Sequence, residues 1–359
     1  MMGNALQGSA AAATTLQEPQ LAISLGGNQP LDDQIAACVL DVSIDQTIDQ
    51  ADHLSLRLAT WDPDTGKALW IDDDRFAPGT GLAVKVGYGK SLDPVFDGEI
   101  VGLGFALNAG EPGVMTIEAY NRLHRLGRGR PPPATPSEAN STYGNLVTKI
   151  AERYGLTPKV QRGAADEPND AVNQQNESDL QFIGELAGEI GYEFFVDGKN
   201  LVFRKQVAPT TAAVTLSASD LLELSGHIDA SSQIAAVEGS GFDRDRNEAL
   251  AFKATNPDSF DKAYGNVDVT IALPLGVDHK EQLQARIEAE LLRIRNSYLA
   301  VTATCFGRSD VKAGMMIAIK GIARRFDGNY AVTAVAHSFS QSAGFRTRLT
   351  LKGTKGTRR

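Results

Sequence analysis

Apolar residues recur along this chain with two periods, and the changes of period mark its organisation. From Leu21 the period is two: Leu21, Ile23 and Leu25 alternate with small or polar residues, then Leu40, Val42 and Ile44 with Asp41, Ser43 and Asp45, then Leu54, Leu56 and Leu58 with Ser55 and Arg57. Leu82, Val84, Val86 and Tyr88 continue it after Pro78-Gly79, and Met115, Ile117 and Ala119 alternate with Val114, Thr116, Glu118 and Tyr120. Such alternation sends one side of each strand into a core and the other into water. Short strands separated by Gly, Pro and Asp turns predict a sheet closed or folded upon itself.

Residues 175–203 break the pattern. Ser178 is placed to cap a helix, with Gln181 three residues on as a capping box requires. Leu180, Ile183, Leu186, Ala187 and Ile190 then recur at helical spacing, leaving Gln181, Glu185 and Glu189 in water. Gly191 ends the helix in the left-handed conformation. Tyr192, Phe194 and Val196 alternate with Glu193 and Asp197, and Asp197-Gly198-Lys199-Asn200 turns the chain into a return strand from Leu201 to Phe203. Upstream, residues 122–141 carry three consecutive prolines and read as an extended linker. Leu146, Val147, Ile150, Ala151 and Tyr154 form another helical stripe, stopped by Gly155.

Strand character returns after Gln206, interrupted by one helix opened by Asp278 and carrying Leu283, Ile287, Leu291 and Ile294 on one face. The fold class read from this order is mainly β with an α+β insertion. A flexible arm over 1–19 precedes a first β-barrel domain over 20–128 and a Pro-rich linker over 129–141. An inserted α/β domain over 142–206 and a second β-barrel domain over 207–359, with its helix at about 278–296, complete the chain.

Composition narrows the function. With 42% hydrophobic residues in 359 the chain can bury real cores, and no apolar run reaches the roughly 18 residues that a membrane-spanning helix needs. The first residues lack a basic region ahead of a long apolar core, so no signal peptide is expected. A net charge of −9 argues against broad nucleic-acid affinity. Cys38 and Cys305 are the only cysteines and read as small hydrophobes, giving neither a zinc ribbon nor a disulfide framework.

Candidate chemistry is sparse. Gly87-Tyr88-Gly89-Lys90-Ser91 lacks the earlier glycine of a phosphate loop, where Val84 stands, and reads as a hairpin turn. Gly102 and Gly104 lead to Leu107 where a dinucleotide fingerprint needs a third glycine. Asp243-Arg244-Asp245-Arg246-Asn247 resembles the start of a calcium loop, but Glu248 replaces its glycine and Ala254 its last ligand. Asp72-Asp73-Asp74 is a polar loop with at most weak cation affinity. The five histidines, His53, His124, His227, His279 and His337, lack metal-ligand spacing. Arg122, His124, Arg125, Arg128 and Arg130 form the best basic patch, read as a solvated linker or a subunit contact. No catalytic residue, cofactor or metal ligand is assigned, and the chain is read as no enzyme.

The closing segment, from Gly314 through Phe326-Asp327-Gly328-Asn329-Tyr330-Ala331-Val332 and Val335-Ala336-His337 to Gly344-Phe345-Arg346-Thr347-Arg348-Leu349-Thr350-Leu351, resembles the C-terminal barrel of phage late-control D proteins. Those are tail-hub proteins of contractile phages, related to the N-terminal part of VgrG. Glu177-Ser178-Asp179-Leu180-Gln181-Phe182-Ile183, Leu186-Ala187 and Gly191-Tyr192-Glu193-Phe194 are similar to the unit inserted between that family's two barrels. The residues that carry the resemblance are Ser178, Leu180, Phe182, Leu186, Gly191, Tyr192, Phe194, Asp327, Gly328, Tyr330, His337 and Thr347.

The resemblance implies a structural baseplate hub of a contractile tail or injection system: a homotrimer of tube-like barrels, adapting a sixfold tail tube to a threefold spike. The implied partners are a separate spike protein, a tail-tube or tube-initiator protein, other baseplate wedge proteins, and DNA, a tape-measure protein or cargo in the lumen. The implied location is a virion tail baseplate or a cytoplasmically assembled contractile particle. A rival reading is a carbohydrate-binding β protein or cell-wall hydrolase, which requires an aromatic platform from Trp61 and Trp70.

Overall fold

Alternation becomes sheet wherever the chain was expected to form it. The computed structural model describes residues 18–354 apart from 28, 63, 90, 109–110, 132–141, 164–165, 167–173, 207–211, 245, 259–267, 275–276 and 278. The expected arm lies outside the described residues up to position 17, and the linker does so from position 132 to 141.

The first unit comprises β1 (Pro19–Leu25), β2 (Gln29–Pro30), a short α1 (Asp33–Ala36), β3 (Val39–Thr47), β4 (His53–Ala59), β5 (Trp61–Asp62), β6 (Lys67–Ala68), β7 (Gly81–Tyr88), β8 (Ser91–Ala106) and β9 (Val114–Asn121). Its main strands lie side by side as β1-β7-β8-β9-β4-β3, all antiparallel. Leu54, Leu56, Leu58, Met115, Ile117 and Ala119 are fully buried, as their period of two requires. Ile23 and Leu25 from one end of this order share a core with Val42 and Ile44 from the other, so the sheet curls round on itself.

The insertion follows. Helix α2 (Tyr143–Arg153), β10 (Thr157–Val160), helix α3 (Asp179–Ile190), β11 (Tyr192–Asp197) and β12 (Asn200–Lys205) form a three-stranded sheet, order β10-β12-β11, covered by the two helices. β10 runs parallel to β12, which requires the crossover that α3 supplies.

The second unit holds β13 (Val214–Ser217), β14 (Leu221–Ile228), β15 (Ala236–Asp243), β16 (Glu248–Thr255), β17 (Thr270–Pro274), helix α4 (Lys280–Asn296), β18 (Leu299–Phe306), β19 (Met316–Lys320), β20 (Gly328–Ser340) and β21 (Gly344–Gly353). Within it, β16-β15-β17 and α4 gather round a core of their own, built on Ile234, Val237, Val277, Leu283, Ile287, Leu291 and Ile294. The apolar face foreseen for α4 is the one buried. Its expected cap Asp278 lies outside the described residues, and His279 stands at the N-cap without a side-chain bond.

Two irregularities show that the β units are versions of one fold. The β3/β4 register slips between Val39 and Asp41, leaving Leu40 unpaired, and the β14/β18 register slips between Leu221 and Glu223, leaving Leu222 unpaired. The β8/β9 register slips at Val101, and the β20/β21 register slips at Thr333. A bulge is a specific feature that bends and twists its strand, so two coincident bulges fix the alignment. The order β7-β8-β9-β4-β3 matches β19-β20-β21-β18-β14 strand for strand. The match ends at the flanking strand, since β1 is antiparallel to β7 whereas β13 is parallel to β19.

β20 joins the units. Its first residues pair with β19, and its second half, Ala334 to Ser340, pairs antiparallel with β3 from Thr47 to Asp41. One thirteen-stranded sheet results.

Candidate functional site

A concave feature lies where the first unit, the insertion and the second unit meet. It is a cleft of about 600 Å³ lined by Gln46, Asp52 and Asp97 from the first unit, Asp197 and Arg204 from the insertion, and Lys312 from the second. Gln46, Asp97, Asp197 and Arg204 are held at paired positions of β3, β8, β11 and β12, whereas Asp52 and Lys312 come from the connections that precede β4 and β19. Burial pushes the Asp52 carboxyl up to about 7, against the pull of the Asn121 side chain, the Thr47 backbone and Lys312. Lys312 Nζ lies 3.4 Å from Asp197 Oδ1. Gln46 donates to Val95 O at 3.0 Å while its Oε1 has no partner.

The walls of this cleft are tied together by buried polar contacts. Glu193, 5% exposed, accepts from Arg204 Nε at 2.7 Å, and Arg204 Nη2 donates to Gly314 O at 2.7 Å, which links the insertion to the second unit. The reading of Glu193 as a solvent-facing alternate is therefore corrected: the outer face of β11 is covered by another domain. Burial raises the Glu193 carboxyl above its ordinary value, with Arg204 pulling it back. On the other side, Asp49 N donates to Phe194 O and Phe194 N donates to Asp49 Oδ1, both at 2.9 Å. Among the described residues the polar side chains lining the cleft are carboxylates, amides, Thr47, Arg204 and Lys312. Hydrogen bonds across its walls join the three units.

None of the twelve residues singled out from sequence lines this cleft. Ser178 and Gln181 do form the capping box, with Gln181 N donating to Ser178 Oγ at 3.2 Å and Ser178 N to Gln181 Oε1 at 3.0 Å. Gly191 caps α3 at φ +68°, and a Cβ there would lie 2.6 Å from Ala289 Cβ, so the position excludes side chains twice over. Phe182, Leu186, Tyr192 and Phe194 are buried in the insertion's core, with Leu180 packed at its edge. Leu186 thus faces inward.

The remaining residues staple the second unit. Asp327 accepts from the N–H groups of Gly321, Ile322 and Ala323 at 3.0, 2.9 and 3.2 Å, which holds its carboxyl below the usual range, and Gly328 then opens β20. Tyr330 is fully buried and donates to Phe326 O at 2.5 Å. His337, 2% exposed, lies 3.1 Å through Nδ1 from Thr347 Oγ1, and its Nε2 has no partner. Burial pulls the imidazole down to about 4. Tyr330 belongs to the second unit's core, separate from the insertion's core that holds Phe182, Leu186, Tyr192 and Phe194.

Other expectations meet specific contacts. The basic stretch is not a solvated linker: Arg122–Gly127 is a 3-10 turn because Leu123 and Leu126 are buried, and Arg122 and Arg125 pair with Asp97 and Glu99 at 3.0 and 2.7 Å. Glu189 is half-buried rather than solvated, accepting from the Tyr143 hydroxyl and from Arg286 Nη2 of α4. Gly89, at φ +63°, turns β7 into β8. Asp243 accepts from Arg246 N at 2.9 Å in the β15–β16 turn, and Asp73 caps a 3-10 turn against Arg75. Trp61 and Trp70 are both half-buried. Among the described residues no three His, Cys, Asp or Glu side chains are placed to hold a metal, and no helix is long and apolar enough to cross a membrane.

A family model for the Alg8 N-terminal domain matches residues 19–341. The chain belongs to that family. The Alg8 N-terminal domain assignment corrects the resemblance to late-control D proteins drawn from sequence. The segments behind that resemblance are a capped helix, tight Asp-Gly turns and alternating strands, which local physics requires of many β proteins. No curated protein matches the sequence. Among solved structures, the chain is similar to the 43 kDa tail protein of prophage MuSo2 from Shewanella oneidensis, with 12% identity, 93% of this chain and 98% of that one covered, and a TM-score of 0.68. A tail protein from Neisseria meningitidis MC58 gives 14% identity, coverages of 92% and 96%, and 0.66. An Escherichia coli component of the type VI secretion system, described as structurally similar to T4 bacteriophage tail proteins gp27 and gp5, gives 15%, 94% and 79%, and 0.59. The mainly β fold is thus one that tail proteins use.

Proposed function

We propose that the chain is a structural hub of a contractile tail or injection system. Three copies form a ring that offers six similar β units to a sixfold tube on one side and a threefold spike on the other. The observation that carries this reading is the doubled unit: two copies of one strand order, with coincident bulges, bridged within the chain by the β20–β3 ladder. A chain with two equivalent units is what conversion between sixfold and threefold symmetry requires. The tail proteins with the same fold over more than nine-tenths of the chain support the setting.

On this reading the protein is structural rather than catalytic. Its partners are a separate spike chain, a tube or tube-initiator protein and outer baseplate proteins, with DNA, a tape-measure protein or cargo passing through the ring. The cleft at the junction, with its hydrogen-bonded walls, fixes the insertion against both β units. The half-buried state of Trp61 and Trp70 favours this reading over a glycan platform.

Mass measurement of the purified chain, with electron microscopy of tail-like particles from cells producing it, tests the proposal. A trimer that locates to the junction of tube and spike is expected. A stable monomer absent from every particle overturns it.

A further inference from the structure

The ladder that joins the two units inside the chain has a vacant counterpart outside it. In the second unit, β20 continues past β19 and fills the exposed flank with β3. In the first unit, β8 continues past β7: the β7 ladder ends at Gly81 opposite Glu99, and Ile100 bonds to the backbone of Gly79 and Thr80. Beyond that point, among the described residues, only β9 pairs with β8. The equivalent of β3 in the second unit is β14, which among the described residues pairs with β18 alone. Among the described residues there is therefore one unfilled edge of the β20 kind and one of the β3 kind.

We propose that the vacant edge of β8 in one copy pairs antiparallel with the vacant edge of β14 in the next, repeating between chains the ladder that β20 and β3 make within one. The bulges give the register. Val101 aligns with Thr333 and Leu40 with Leu222, so the pairs Val335 to Gln46 and His337 to Ile44 become Leu103 to Ile228 and Phe105 to Gly226. Ala106 then falls opposite Ser225, and Leu107 opposite Leu224.

Exposure follows the same correspondence. Phe105 is 46% exposed, whereas its equivalent His337 is 2% exposed beneath β3. Val101, Leu107 and Leu222 are likewise exposed apolar residues on these two edges. A long apolar strand edge left open is a template for uncontrolled association, and pairing it with a second copy removes that hazard. The two edges are different surfaces, so copies join head to tail, and the ring closes when the last β14 meets the first β8. The inference deepens the hub reading by naming the surface through which copies meet, and it rests on the internal repeat as well as on that reading.

A full-length Ala106→Cys, Ser225→Cys variant, oxidised and run without reductant, tests the register, with Ala106→Cys, His227→Cys as the shifted control and the parent chain as background for Cys38 and Cys305. The expected result is a ladder of covalent multimers from the first variant at several-fold higher yield than from the shifted pair. Phe105→Glu, measured by light scattering and circular dichroism, is expected to convert the oligomer into a folded monomer. An oligomer that survives Phe105→Glu and gives no in-register crosslink overturns the strand pairing and leaves the hub reading standing. In-register crosslinks in an assembly other than a trimer support the pairing and overturn the hub. A parent chain that stays monomeric at all concentrations overturns both.

Discussion

Asp49 and Phe194 exchange two hydrogen bonds across the boundary between the first β unit and the insertion: Asp49 N donates to Phe194 O, and Phe194 N donates to Asp49 Oδ1, each at 2.9 Å. Asp49 holds φ at +65° to do this, a conformation open to Asn and Asp but strained for Ala. Burial raises its carboxyl above the ordinary value. Asp49→Ala leaves the Phe194 N–H unsatisfied and should cost about 2 kcal/mol in denaturant unfolding. Asp49→Asn keeps the acceptor and the backbone and should cost less than about 1 kcal/mol by the same measurement.

The Glu193–Arg204 pair should behave as a buried ion pair with a directional bond to Gly314. Removing one partner strands the other charge, so Arg204→Met should cost about 3 kcal/mol. Removing both should cost less than the sum of the single variants. A double-mutant cycle with Glu193→Met, followed by thermal or denaturant unfolding, checks this. Additive costs would mean that the pair does not couple the insertion to the second unit.

His337 makes stability depend on acidity. Its folded value of about 4 lies below the ordinary 6.5, because burial and Lys312 disfavour the cation. Between those values the unfolded chain binds more protons, so stability falls as pH drops from about 6.5 to 4, by up to about 3 kcal/mol. His337→Gln should flatten that slope. The check is the difference between parent and variant unfolding energies at several pH values, which isolates this group from the carboxylates.

Asp52 has the opposite sign. Its folded value of about 7 lies above the ordinary 3.8, so the folded chain binds more protons between them. Stability falls as pH rises through that window, by up to about 4 kcal/mol. Asp52→Asn should melt higher than the parent at pH 8 and lose that advantage at pH 4. Equal melting temperatures at pH 8 would show that the carboxyl is solvated when the joint forms.

How much of this was legible in sequence depends on range. Leu54, Leu56 and Leu58 announced their strand because alternate burial leaves a mark at every second residue, and Ser178, Gln181 and Gly191 announced their helix ends because the backbone there needs particular side chains. These are local requirements, met within a few residues of chain. Two barrels were expected, but their residue-by-residue equivalence stayed hidden because a buried strand position accepts many side chains of suitable size. Leu56 corresponds to Ala303 and Met115 to Thr347, so the units share bulges and strand order without visible sequence likeness. The joint was equally hidden. Glu193 looks like any outward residue of an alternating strand until Arg204 and Gly314 cover it.

The sequence by itself determined the alternation of strands and helices, the capped insertion and the turns, since propensity, period and capping act within one segment. Only the tertiary structure decided that β20 crosses from one unit to the other, that among the described residues β8 and β14 keep open edges, and that burial shifts the Asp52 carboxyl up and the His337 imidazole down. Those properties depend on which segments meet, and contacts between residues hundreds of positions apart leave no periodic trace in the chain.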